Sequence, residues 1–238
     1  MNLFFKIVIT SILFLMLGTS NTYAVSLPEL SKADSLFDQK KYTEAYQLYD
    51  GIFEQGYASP SMIVKMAFIK EGLGDYTQAL YFLNLYFNQT SNRKALLKMR
   101  EIAEKHNLIG YEYSDTKFIT NFFYKNRYLI LMALMSISLF LIAYSYKKRH
   151  EKPFMPAIGQ GIVLTLILIL INGFFFKEYA IVTGSNTIAM EAPSAGSEPI
   201  ELIEKGNKIV VLDKQPIWSK IRWNGQEVYI KSNLIKKI

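Results

Sequence analysis

The chain contains no cysteine. That single absence removes disulfides, thiol nucleophiles, cysteine-bound zinc and iron–sulfur clusters. It also removes the cysteine on which a lipoprotein leader depends. Histidine is nearly as scarce, with only His106 and His150. No His-Glu-x-x-His, Gly-x-Ser-x-Gly, phosphate-binding glycine loop or dinucleotide fingerprint occurs. Gly72-Leu73-Gly74 reads as a helix–helix turn, not a nucleotide site. The acids are scattered at solvated spacing, whereas a general base or a metal cage needs convergent carboxylates or histidines. These absences point away from an enzyme and imply no metal and no cofactor. Charge of one sign is not concentrated either. The net charge is +7, yet residues 25–124 hold 11 basic and 12 acidic side chains, and residues 184–238 hold 8 against 6. A nucleic-acid footprint would need a basic stripe, so no nucleic-acid partner is expected.

What is present is apolar residue in blocks. Half the chain is hydrophobic, and three blocks hold most of the excess. Segregation of this kind reads as membrane segments joined to soluble modules. The first block has Lys6 ahead of an apolar run, Ile7 to Leu17. Small and polar residues follow as far as Ala24, which gives residues 1–24 the layout of a secretory signal peptide. The second, 128–146, and the third, 157–176, are uncharged and about long enough to span a hydrocarbon core. Tyr124, Tyr128, Tyr144 and Tyr146 flank the second as interfacial aromatics do. Gln160 and Asn172 in the third are expected to make polar contacts between helices or to sit near an interface. The loop between the spans, 147–156, carries Lys147, Lys148, Arg149 and Lys152 against Glu151. The positive-inside rule puts it in the cytoplasm. A two-pass inner-membrane protein with both soluble parts in the periplasm is the expectation, and the exporting leader agrees with it.

Residues 25–110 repeat themselves. Ala33 recurs as Ala67, Tyr42 as Tyr76 and Ala45 as Ala79, each pair 34 residues apart. Lys40-Lys41-Tyr42-Thr43-Glu44-Ala45 aligns with Gly74-Asp75-Tyr76-Thr77-Gln78-Ala79. Within each unit the apolar residues keep helical spacing. This pattern resembles the tetratricopeptide repeat, with two helices per unit, small alanines for close approach and tyrosines in the wedge. Two repeats and a capping helix over Ser91–His106 make a minimal solenoid. Ser91 is a candidate N-cap, and Asn107 marks the stop. A linker, 111–127, follows. In the repeat family the first helix of each pair lines the concave face. Here that presents Asp34, Phe37, Asp38, Phe68 and Glu71, as a partner groove or as a solvated face with two half-buried phenylalanines.

From Gly184 the texture turns to short β-type runs: Thr187–Met190, Pro199–Ile203, Lys208–Leu212, Ile217–Trp223 and Glu227–Ile230. Asn224-Gly225 is a strong hairpin signal. Residues 184–238 resemble a bacterial SH3 domain on four features. These are Ala192-Pro193-Ser194, Gly206 before Ile209-Val210-Val211-Leu212, Trp218 leading a strand, and Val228-Tyr229-Ile230 before Leu234. Val-Tyr stands where that family has Gly-Trp. Alternation sets Trp218, Lys220 and Arg222 on one face and Ile221 and Trp223 on the other. Trp218, Trp223 and Tyr229 are the candidate binding aromatics, with one tryptophan expected in the core.

The fold class is therefore a multi-module membrane protein: an α-helical solenoid, a two-helix transmembrane hairpin and a small all-β SH3-like barrel. The module order resembles BatE, the tetratricopeptide protein of the Bat (Bacteroides aerotolerance) operons. That resemblance implies a scaffold in an envelope complex with von Willebrand factor A membrane proteins and MoxR-type ATPases. The SH3-like module leaves a second reading open, a peptidoglycan-binding or envelope-stress-sensing protein.

Overall fold

The computed structural model describes residues 28–112, 119–120, 122–123, 125–147, 154–172 and 178–238. The leader at 1–24, residues 148–153 of the basic loop and part of the linker, 113–118 with 121 and 124, lie outside them. Seven α-helices and seven strands are described. The helices are α1 Pro28–Asp38, α2 Tyr42–Glu54, α3 Pro60–Gly72, α4 Tyr76–Thr90, α5 Arg93–Lys105, α6 Arg127–Lys147 and α7 Phe154–Asn172. The strands are β1 Glu178–Val182, β2 Thr187–Met190, β3 Pro199–Ile203, β4 Lys208–Lys214, β5 Trp218–Trp223, β6 Gln226–Lys231 and β7 Ile235–Lys237. One compact unit holds α1–α5 with the sheet, and the other holds α6 and α7.

The sequence repeat is a backbone repeat. Lys41 N–H donates to the Leu36 carbonyl, and 34 residues later Asp75 N–H donates to the Lys70 carbonyl. Both turns need a left-handed residue between the helices, Lys40 at φ 61° and Gly74 at φ 77°. Helices so closed stack α1 on α2 and α3 on α4. Ala33, Ala45, Ala67 and Ala79 are all buried, so the backbones approach closely at the contact. Tyr49 and Phe82 are buried between them, and each such ring contributes roughly 2–3 kcal/mol relative to exposure. Phe53, Tyr81 and Phe82 meet edge to face at 5.3–6.5 Å, the geometry favoured by ring quadrupoles.

The helix ends follow local chemistry. Ser59 Oγ accepts from Met62 N–H ahead of Pro60, and an Asp75 carboxylate oxygen accepts from Gln78 N–H. The fifth helix starts later than expected. Ser91 takes the left-handed conformation that closes α4, and Asn92 caps α5 by accepting from Lys94 N–H. Left-handed at φ 55°, Ser91 lacks the extended backbone of an N-cap, which Asn92 has. Asn107 is left-handed just past α5.

The sheet runs β3-β2-β6-β5-β4-β1-β7, with every pairing antiparallel. Asn224 and Gly225 both have positive φ (47° and 81°), the requirement of a two-residue turn that matches strand twist. Burial along β5 alternates as expected, with Ser219, Ile221 and Trp223 inside. The module begins earlier than Gly184, because β1 precedes it. Glu178-Tyr-Ala-Ile-Val182 is exposed at its start and buried over Ala180, Ile181 and Val182 in a row, so it offers no two-residue alternation.

In the second unit, α6 is long and apolar enough to cross a membrane by length and composition, while the apolar run of α7, Pro156–Asn172, is shorter. Ser138 Oγ accepts from Gln160 Nε2 at 2.8 Å between the two helices. Asn172 donates to the Leu168 carbonyl of its own helix.

Lys40 is exposed in the first turn, and its left-handed backbone disfavours a side chain by roughly 1–2 kcal/mol. Gly74 avoids this strain in the second turn. Lys40→Gly is expected to stabilise the helical array by about 0.5–1 kcal/mol, after the extra chain entropy of glycine. Chemical denaturation followed at 222 nm measures it.

Candidate partner-binding surfaces

Phe37 on α1, Tyr42 at the start of α2 and Phe68 on α3 converge on one another. Their ring centroids stand 5.4, 5.8 and 5.7 Å apart, all edge to face. Phe37 and Phe68 are not equivalent positions of the repeat, since Phe37 corresponds to Glu71 and Phe68 to Asp34; they meet because α1 and α3, the first helices of their units, lie side by side. Phe68 remains 54% exposed, and Val64, one turn earlier, is exposed beside it. Lys65 Nζ lies 5.1 Å from the Phe37 centroid, within cation–π range.

The acids expected on this face separate into three kinds. Asp34 is half-buried at the edge of the array, accepting from Tyr49 Oη at 2.5 Å and from Lys65 Nζ at 2.8 Å. Burial pushes its carboxyl upward, but the bonds from Lys65 and Tyr49 and the Lys65 charge outweigh that and hold it below its ordinary value. The same contact, added to burial, pushes the Tyr49 phenol well up. Glu71 is bound by Lys98 of α5 at 2.7 Å, so it braces α5 against α3. Asp38 is exposed and forms no ion pair with a described residue. The structure thus brings Phe37 and Phe68 together, keeps Asp38 accessible, and gives Asp34 and Glu71 to internal contacts.

In the β module the three aromatics also part. Trp223 is 6% exposed, and its Nε1–H donates to Glu201 Oε2 at 2.7 Å. Its strand parity points it into the core, so it is withdrawn from partner binding. Trp218 and Tyr229 are half-buried on the opposite face. Register sets Trp218 beside Lys231 and Tyr229 beside Lys220, and Lys220 pairs with Glu227 at 2.6 Å. This face is an aromatic pair among charges.

A seam that sequence reasoning missed joins the helical array to the sheet. Lys208 N–H donates to the Ile109 carbonyl at 3.0 Å, and Ile109 N–H donates to Asn207 Oδ1 at 2.7 Å. Tyr111 Oη donates to the Gly206 carbonyl at 2.7 Å. Lys208 Nζ reaches Asn84 Oδ1 on α4 at 2.6 Å and stands 4.9 Å from the Tyr179 ring. Tyr76 and His106 stack at 4.0 Å beside this seam. Ile181 of β1 and Ile238 belong to the helical core. Asn84, buried on an otherwise apolar helix face, was the one available signal.

Among the described residues no group of three or more histidine, aspartate or glutamate side chains is placed to hold a metal ion. Residues 191–236 match the family described as bacterial SH3 domain, which agrees with the antiparallel sheet. The match covers the hairpin loop after β2 through β7 and leaves the helical array and both apolar helices outside it. Searches of curated proteins and of solved structures returned no match to the chain.

Asp34 generates a pH prediction. A carboxyl lowered in the fold contributes stability that is present above its unfolded value, near 3.8, and lost as pH falls through the lowered native value. Asp34→Asn is expected to destabilise the protein at pH 7 and to flatten its loss of stability below about pH 4. Unfolding midpoints of both proteins between pH 7 and 2 measure this, and parallel curves would remove Asp34 from the account.

Proposed function

We propose that the chain is a membrane-anchored, non-catalytic scaffold of an envelope complex, binding a protein partner through the aromatic face of α1 and α3. The observation that carries this is the triad Phe37, Tyr42 and Phe68, built by two repeat units and left open on the Phe68 side. Exposed aromatics in a rigid setting, rimmed by a free carboxylate such as Asp38, are what interface anchors look like. The 34-residue recurrence of the turn hydrogen bonds supports reading the array as tetratricopeptide repeats. α6 and α7, with the basic residues between them, support a two-pass inner-membrane topology with the helical and SH3-like parts in the periplasm. In this reading the chain is a BatE-like protein, and its partners are von Willebrand factor A membrane proteins and a MoxR-type ATPase.

The match of residues 191–236 to bacterial SH3 domains favours one second reading, attachment to peptidoglycan through Trp218 and Tyr229. The two readings separate in one experiment. Tagged full-length protein is recovered in gentle detergent, with mass spectrometry of what accompanies it. The scaffold reading expects a stable membrane-protein partner, reduced at least ten-fold by Phe68→Ala and unaffected by Trp218→Ala. A sample without partner that sediments with purified peptidoglycan, and loses that retention in Trp218→Ala, contradicts the scaffold and supports wall attachment.

A further inference from the structure

The two edges of the sheet differ. At β7, Lys236 Nζ stands 4.1 Å from the Tyr81 ring of α4, and Ile238 packs into the helical core, so that edge is covered. At the other end β3 is the terminal strand and pairs with β2 alone. Its outer face is apolar. Ile200 and Leu202 are 43% and 54% exposed, and Ile188, directly across from Leu202, is 47% exposed. These three branched side chains form one patch along a free edge.

The edge is also held in place. Glu201, on the opposite face of β3, accepts from Trp223 Nε1 at 2.7 Å and from Asn224 Nδ2 at 3.2 Å. That ties β3 to the β5–β6 turn. At the end of the hairpin Glu191 N–H donates to the Glu198 carbonyl. A pre-set strand loses little freedom when a partner adds to it.

Charge decides what that partner is. From 178 to 204 the module carries Glu178, Glu191, Glu198, Glu201 and Glu204 and no lysine or arginine. Residues 205–238 carry eight bases and two acids. Exposed edges are usually blunted by lysine, and this one has only Pro199 at its start, Glu201 within it and Glu198 and Glu204 at its two ends. A second copy pairing through the same edge would bring glutamates against glutamates, and an anionic bilayer would be repelled.

We propose that the β3 edge receives an extended segment of another protein, alternating apolar and basic residues, which adds as a further strand beside Ile200 and Leu202. Main-chain hydrogen bonds to β3 supply affinity, and the Ile188–Ile200–Leu202 patch with the surrounding glutamates supplies selectivity. This surface is separate from the α1–α3 face and stands whether or not that face binds a partner.

The test uses full-length protein in an uncharged detergent and three fluorescent peptides. One alternates valine and lysine over seven residues, one replaces lysine by glutamate, and one is the lysine peptide with alternate amides N-methylated. Anisotropy is expected to show binding of the lysine peptide, at least ten-fold weaker binding of the other two, and at least ten-fold loss in I200S/L202S. Both substituted residues are exposed, so the fold persists. Phe68→Ala is expected to leave the affinity unchanged. Equal binding of the lysine and glutamate peptides, full binding of the methylated one, indifference to I200S/L202S, or no binding at all overturns the proposal. So does a concentration-dependent dimer abolished by I200S/L202S, which would assign the edge to a second copy.

Discussion

The segment Leu108–Tyr111 leaves the last helix of the array and lies against the start of β4, where backbone meets backbone. Ile109 exchanges hydrogen bonds with Lys208 and Asn207, and Tyr111 reaches the Gly206 carbonyl. This contact needs two glycines. Gly110, at φ 94°, faces the Lys208 carbonyl so closely that a Cβ there would collide with it, and Gly206, at φ 93°, lies under Leu108 and Tyr76. The Tyr111–Gly206 hydrogen bond is buried, with the Tyr111 phenol pushed far up by burial, while the Ile109–Asn207 bond is part-buried. A polar contact of this kind is worth most when fully satisfied and shielded from water. This seam sets the start of β4 against the end of the helical array.

Because β1 contributes Ile181 to the helical core and the C-terminal Ile238 packs there too, the two modules share apolar burial as well as hydrogen bonds. The consequence for function is geometric. The α1–α3 aromatic face and the β3 edge are carried by one body, so a partner engaging either surface acts on the same rigid element. Covering β1 and β7 with helices also protects one side of the sheet, and leaves β3 as the edge at which pairing remains available.

Much of this was legible in residues and spacing. The 34-residue repeat was visible because alanine and tyrosine must recur wherever helices cross closely, and Asn224-Gly225 announced its turn because only such residues take positive φ cheaply. The alternation in β5 followed from the two-residue period of a strand. Other features were not legible. β1 was hidden because Ala180, Ile181 and Val182 are buried in a row and give no two-residue alternation. Which of Trp218 and Trp223 faces inward depended on register with β6. The destination of Asp34 depended on Tyr49 and Lys65, residues 15 and 31 positions away. The seam itself joins positions nearly a hundred residues apart, and no local pattern encodes such a pairing.

Both tryptophans, Trp218 and Trp223, lie in the sheet, whereas the signal at 222 nm comes chiefly from the helices, α1–α5 among them. Unfolding of the full-length protein, followed at once by tryptophan fluorescence and by circular dichroism at 222 nm, therefore reads the two modules separately. If the seam makes them one body, the transitions coincide in midpoint and slope. Two separated transitions, with the sheet and the helices melting independently, would contradict the account.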